Sequence, residues 1–214
     1  MGITAALNLP QAEASHVEIM RAIAQDFKDL PMVLKGGTAL LLCYGLDRFS
    51  EDLDFDAPKK FSVSSRIERV LSRFTQDFDI KTVKDTETVQ RLKVHYRKET
   101  VDRLLKIETS FRQSPPPETV VVQDGIQTYR VSSLIDQKLA ALIGRTKARD
   151  LYDVAFLART YWAEFSPQAK LTLHSLLADA NALESRFRLA FEDDTILNAD
   201  QLDGLVLQLI EVSA

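Results

Sequence analysis

Two aspartates spaced i and i+2, Asp52 and Asp54, lie in the stretch Leu34–Asp56, LKGGTALLLCYGLDRFSEDLDFD. On a strand, a period of two puts both carboxylates on one face and turns Leu53 to the core. Carboxylates about 5 Å apart repel by roughly 3 kcal/mol at an effective dielectric of 20, so a cation belongs between them. Oxygen-only ligands suit Mg²⁺, which takes one or two carboxylates together with phosphate oxygens and water. Asp56 shares that face only if the strand continues, and Pro58 predicts that it ends. A third acid from another strand would complete the set. Glu108 is the candidate, because it stands on the polar face of the otherwise apolar run Arg103–Phe111.

Gly36 and Gly37 fit the same chemistry. Glycine lets a phosphate approach the backbone, and a helix start offers free N–H groups and the positive dipole end. Thr38 or Ser50 adds a hydroxyl. Together these parts predict a nucleoside triphosphate and Mg²⁺ held for in-line displacement. Taken singly, each part has a plainer reading. A lone Asp-x-Asp is more often a solvated strand end, a lone Gly-Gly a turn, and Glu108 a surface strand residue. The order and spacing, with a helix apolar enough to be buried between them, favour the site.

A second cluster lies in DQKLAALIGRTKARDLYDVAFL, residues 136–157. Lys138, Arg145, Lys147 and Arg149 fall close together, with Asp150 and Asp153 beside them. One reading is a triphosphate clamp in which Lys138 is a point charge on phosphate and Asp150 or Asp153 orients a partner. The other is a salt-bridge network between two helices.

The elements that must position these groups follow from periodicity and end signals. A helix is predicted over Glu13–Asp29, a short strand over Met32–Leu34, and a buried helix over Thr38–Tyr44 that stops at Gly45. Leu53–Phe55 reads as a strand and Ser62–Phe78 as a helix. Strands are expected at Ile80–Val83, Val89–Arg97, Arg103–Phe111, Val120–Val122 and Ile126–Val131. From there the pattern is helical. Helices are expected from Ser132 to Ile143, over Lys147–Tyr161, from the Ser166-Pro167 start to Ala180, over Leu183–Phe191 and over Ala199–Val212. Domains are therefore expected at 1–131 and 132–214.

Composition bounds the class. The chain has 214 residues, 45% of them apolar, with net charge −4 and one cysteine. That excludes a disordered chain, a disulfide scaffold and a bilayer-spanning helix. Met1–Pro10 has no basic flank before an apolar run, so no signal peptide is expected there, and the cytoplasm is the simplest address. The acidic balance argues against binding nucleic acid by bulk charge alone, yet allows a local basic patch. His16, His95 and His174 show no ligand spacing, and Cys43 reads as a small core residue.

These residues resemble the AbiEii/AbiGii family of nucleotidyltransferase toxins, which includes the MenT-type toxins. The resemblance rests on Leu34–Phe55, on KIETS at Lys106–Ser110, on Lys138-Leu139 and on RDLYD at Arg149–Asp153. It implies an α+β fold, with a polymerase-β-like core (a mixed sheet with flanking helices) followed by a helical C-terminal bundle. It also implies transfer of a nucleotide from an NTP to an RNA acceptor at a tRNA 3′ end, with Mg²⁺ on Asp52 and Asp54. A cognate antitoxin protein would be the partner, and no membrane is involved. Gly36, Gly37, Ser50, Asp52 and Asp54 match the first motif. Lys138 matches the NTP-contacting lysine, and Asp150 or Asp153 the later acid. Glu108 stands where such cores place a third acid, usually aspartate. Ser50 matches a serine through which some of these toxins are neutralised by phosphorylation. Other acceptors (a protein or a small molecule) and a non-catalytic nucleotide-binding module are the alternatives.

Overall fold

The computed structural model describes residues 9–98 and 100–213. The first eight residues, to which the signal-peptide expectation mainly applies, lie outside them. Along the chain, two units divide between Arg130 and Val131.

The first unit is built on a seven-stranded mixed sheet. In chain order its elements are α1 (Gln11–Asp26), β1 (Val33–Lys35), α2 (Gly36–Tyr44), β2 (Leu53–Asp56), α3 (Ser64–Leu71), β3 (Asp77–Asp85), β4 (Val89–Lys98), β5 (Val101–Ser110), β6 (Val120–Gln123) and β7 (Ile126–Tyr129). The strand order is β3-β4-β5-β2-β1-β7-β6. β2 lies antiparallel to β1 and parallel to β5, and β1 lies parallel to β7. The short β1 and β2 thus sit at the centre of the sheet, where neighbours on both sides fix their register.

Burial explains that arrangement. In β5, Leu105, Ile107 and Thr109 are buried while the alternating Lys106, Glu108 and Ser110 are not. β4 repeats the pattern with Leu92, Val94 and Tyr96 inside. One sheet face therefore carries the core, and the other carries charge. α2 is buried through Thr38–Leu42 and stops at Gly45, whose φ of +77° is the left-handed C-cap expected of glycine.

Several boundaries differ from the sequence reading. The helix expected to reach Phe78 ends at Leu71, because β3 begins at Asp77 and pairs with β4 from Asp77↔Arg97 to Asp85↔Gln90. The ladder outweighs the helical propensity of Ser72–Gln76. β2 runs one residue further than expected, to Asp56. Gly36 and Gly37 form the first turn of α2 and do not precede it.

The second unit is helical: α4 (Val131–Gly144), α5 (Ala148–Tyr161), α6 (Pro167–Leu177), α7 (Ala180–Glu192) and α8 (Gln201–Ser213). The Ser166-Pro167 start is as expected. The Ser166 hydroxyl accepts from the Ala169 N–H at 3.0 Å, and proline takes the first helical position. Among the described residues, no helix is long and apolar enough to cross a membrane.

Candidate active site

β2 places Asp52 just before its first residue and Asp54 within it. Leu53 and Phe55 point into the core, and Phe55 meets the ring of Phe27 at 5.6 Å. The two carboxylates therefore share the charged face. Register brings further charges to them. Asp54 stands opposite Lys35 of β1 on one side and opposite Glu108 of β5 on the other.

Each acid then has its own surroundings. The Lys106 ammonium donates to Asp52 Oδ2. Arg91 holds Glu108 through Nε at 2.6 Å and Nη2 at 2.5 Å, both on Oε2. Asp56 is taken by Lys35 at 2.6 Å and by the Tyr129 hydroxyl at 2.9 Å. The Asp54 carboxylate makes no hydrogen bond among the described residues. Burial pushes its carboxyl above the usual carboxylate range; Lys106 pulls it back, and Asp52 and Glu108 push it up again. Burial lowers the Lys106 ammonium, but the bond to Asp52 and the charges of Asp54 and Glu108 leave it raised overall.

The glycines have two separate reasons. Gly36 has φ +75°, a left-handed conformation that disfavours side chains. A Cβ on Gly37 would lie 2.7 Å from Arg48 Nη2 and 3.0 Å from Ser50 Oγ. The Arg48 guanidinium is buried against this first turn of α2, and its Nη1 donates to the Phe49 carbonyl at 2.9 Å. Thr38 Oγ1 lies 2.8 Å from Ser50 Oγ and donates to the Asp52 carbonyl. Thr38 and Ser50 thus brace the segment that carries Asp52.

His16 is buried beneath the same segment. Its Nε2 lies 2.8 Å from the Glu51 carbonyl, and its Nδ1 lies 2.5 Å from the Tyr96 hydroxyl. A carbonyl can only accept, so Nε2 carries the proton and Nδ1 accepts from Tyr96. Burial lowers the His16 pKa, which keeps the ring neutral in that role. Sequence spacing gave no hint of His16, Arg48, Lys35 or Arg91. Lys106 was legible in principle, since it lies two residues before Glu108 and shares its face.

The donor set fits a metal at two carboxylates. Asp52 and Asp54 offer oxygens on one face, as Mg²⁺ with phosphate ligands requires. Among the described residues, no three His, Cys, Asp or Glu side chains converge as a metal site. Glu108, expected as the third ligand, is held by Arg91 through Oε2, and its Oε1 makes no hydrogen bond to a described residue.

In the second unit the expected cluster is brought together and buried. Lys138 Nζ lies 2.6 Å from Asp153 Oδ2 and 3.8 Å from Asp150 Oδ1. Arg145 grips Asp150 with two bonds, 2.6 and 2.9 Å. Relative exposures are 8% for Lys138, 2% for Asp150 and 0% for Asp153. Both acids flank the lysine, Asp153 in direct contact and Asp150 farther off. Arg149 turns to Asp194 at 3.0 Å.

A family profile described as nucleotidyl transferase AbiEii toxin, type IV TA system, matches residues 18–205. The chain belongs to this family. Solved structures agree. JHP933 from Helicobacter pylori is 36% identical with a TM-score of 0.87, covering 96% of this chain and 91% of that one. A candidate nucleotidyltransferase from H. pylori is 37% identical with a TM-score of 0.85, covering 96% and 94%. No curated protein matches the chain. This AbiEii chain is thus a nucleotidyltransferase of the toxin class of type IV toxin–antitoxin systems, with the α+β architecture described above.

Proposed function

We propose that the AbiEii chain moves a nucleoside monophosphate from an NTP to the 3′-hydroxyl of an RNA, with a tRNA 3′ end as the acceptor the family resemblance implies. The observation that carries this reading is the Asp52–Asp54 pair on one face of β2, with the glycine start of α2 beside it.

The acceptor oxygen forms a bond to the α-phosphorus. The bond from that phosphorus to the bridging oxygen breaks, and pyrophosphate leaves. Asp52 and Asp54 are the residues that would hold Mg²⁺, which supplies charge neutralisation on the triphosphate when bound. The Gly36-Gly37 turn presents backbone N–H groups, and Arg48 and Lys35 add positive charge there. The hydroxyl proton passes to Glu108. Its Oε2 is held by Arg91, while Oε1 makes no bond to a described residue. Lys138 is the position the resemblance assigns to NTP contact, and Asp153 and Asp150 fix where its ammonium sits.

A cognate antitoxin completes the system. Ser50 is the position at which phosphorylation would act, because new negative charge there would stand beside Asp52.

The test combines protein, Mg²⁺, total RNA and each α-labelled NTP, with Asp52→Ala as control. Asp52-dependent label on RNA 3′ ends is expected. Label on protein alone would move the acceptor to another class, and full activity in Asp52→Ala would overturn the reading.

A further inference from the structure

The charged face of the sheet does not end at the carboxylates. It continues outward across β5, β4 and β3, and its register is unusual. Lys106 stands directly opposite Lys93, and Lys93 directly opposite Lys81. Three ammonium groups thus form one row across three adjacent strands. Like charges directly opposite each other destabilise a sheet. Beside that row, Arg91 stands opposite Lys84. The register shift between Thr82 and Lys84 produces that pair: without it, Val83 would face Arg91.

Local acids account for three of these five cations, Lys106 with Asp52, Arg91 with Glu108 and Lys81 with Asp79, and leave Lys84 and Lys93. Asp79 pairs with Lys81 and Asp102 with Arg97, both farther from the site. Lys84 and Lys93 have no ion-pair partner among the described residues, and both are exposed. On a chain of net charge −4, cations opposed this way are retained at a cost in sheet stability. A polyanion laid along the face would neutralise them. The next row adds a second kind of contact. His95 stands opposite Leu104, and both are exposed. Cations beside an exposed ring and an apolar side chain are what an unpaired nucleic-acid strand uses, phosphates on the one and bases on the other. The row ends at Lys106 and Arg91, which hold Asp52 and Glu108.

We infer that the outer face of β3, β4 and β5 is a docking track for the single-stranded 3′ end of the RNA acceptor. Lys81, Lys84 and Lys93 contact its phosphates, and the track delivers the terminal hydroxyl to the carboxylates. The inference rests on the RNA-acceptor reading above and names the surface that reading lacks.

The test uses the full chain and a fluorescent, unstructured 12-nucleotide RNA, with anisotropy read over a salt series. The variants are Lys81→Gln/Lys93→Gln and, as a control in the turn that follows α3, beside Ala22 and Gln25 of α1 and away from this face, Arg73→Gln. The double variant is expected to bind at least 10-fold more weakly than wild type, with the slope of log K against log salt reduced by about 0.7 per lysine. Its NTP affinity by calorimetry and its melting temperature should be unchanged, or the latter raised, since opposed like charges are removed. Arg73→Gln should bind as wild type does. Equal RNA affinity and slope in wild type and the double variant would overturn the track. Loss of NTP binding together with RNA binding would make the lysines structural and overturn it too. Failure of the wild type to bind or label RNA, with Asp52-dependent label elsewhere, would remove the RNA reading itself; RNA labelled equally well by wild type and double variant would remove the track alone.

Discussion

Both units of the chain set lysine and arginine against aspartate, and they do so under opposite conditions. In the first unit the Lys106 and Asp52 side chains are 33% and 31% exposed. In the second, Lys138 and Asp153 are 10% and 0% exposed. The first group is partly open to water, and among the described residues its acids keep oxygens without a hydrogen-bond partner: Asp52 Oδ1, both oxygens of Asp54 and Glu108 Oε1. Its cations can be exchanged for a metal and a triphosphate at small cost, because exposed ion pairs contribute little. The second group is closed. Charges out of water depend on their partners, so removing one is expensive. Similar residue types thus make an exchangeable group in one place and a fixed one in the other.

The sharpest way to break this comparison is to delete one charge from each group. Asp52→Ala should lower nucleotidyl transfer about 10³-fold or more, equivalent to about 4 kcal/mol of transition-state stabilisation, and leave the melting temperature near wild type. Single-turnover assays with labelled NTP and a thermal melt check both halves. A large loss of stability would show that the open group is structural after all.

Lys138→Met probes the closed group. It leaves the buried Asp153 without its ammonium, and should destabilise the chain by roughly 3 kcal/mol in denaturant titration. Unchanged stability would mean that the triad is as exchangeable as the carboxylate face.

His16 lies between these extremes, as a buried neutral group that positions an open one. His16→Ala removes the bonds to Glu51 and Tyr96 and should cost about 1–2 kcal/mol of stability. It should also lower transfer by shifting Asp52, while Tyr96→Phe, which keeps the Glu51 bond, should keep most activity. Burial keeps folded His16 neutral, so the folded chain binds fewer protons than the unfolded one. That contribution is complete above about pH 6.5 and is lost as pH falls. A stability profile from pH 7.5 to 5.5 should therefore fall more steeply in wild type than in His16→Ala.

How much of this was legible depends on whether a feature is local. Asp52, Asp54, the glycines and the alternating face of β5 are read from short spacings, and the structure places them as those spacings imply. The Ser166-Pro167 helix start is equally local. What escaped is set by register between distant segments. Arg91 meets Glu108 only because β4 and β5 pair as they do, and His16 reaches Glu51 across 35 positions. The end of α3 was misplaced for the same reason, since pairing with β4 claims Asp77 and Phe78. Glu108 was placed correctly on its face, yet its Arg91 partner, invisible in sequence, changes what it can ligate.

The smallest expected effect separates function from stability at a single residue. Asp54 lies between Asp52 and Glu108, and burial raises its carboxyl above the ordinary range. The folded chain therefore holds this proton more tightly than the unfolded chain does. Between the ordinary and the raised value, stability falls as pH rises, and above the raised value the whole cost of the buried charge is present. Asn at this position carries no charge at any pH and keeps the shape. Asp54→Asn should then be more stable than wild type at pH 7, while its transfer activity is lost with the carboxylate charge of Asp54. On acidification wild-type Asp54 takes up its proton, and the stability gap should close. Denaturant titrations of the two proteins at pH 7 and pH 4.5 test the sign. A gap that widens at low pH, or an Asn variant less stable at pH 7, would mean that Lys106 and Lys35 already compensate Asp54 fully in the absence of ligand. The open group would then be as balanced as the closed one, and the contrast between the two units would rest on exposure alone.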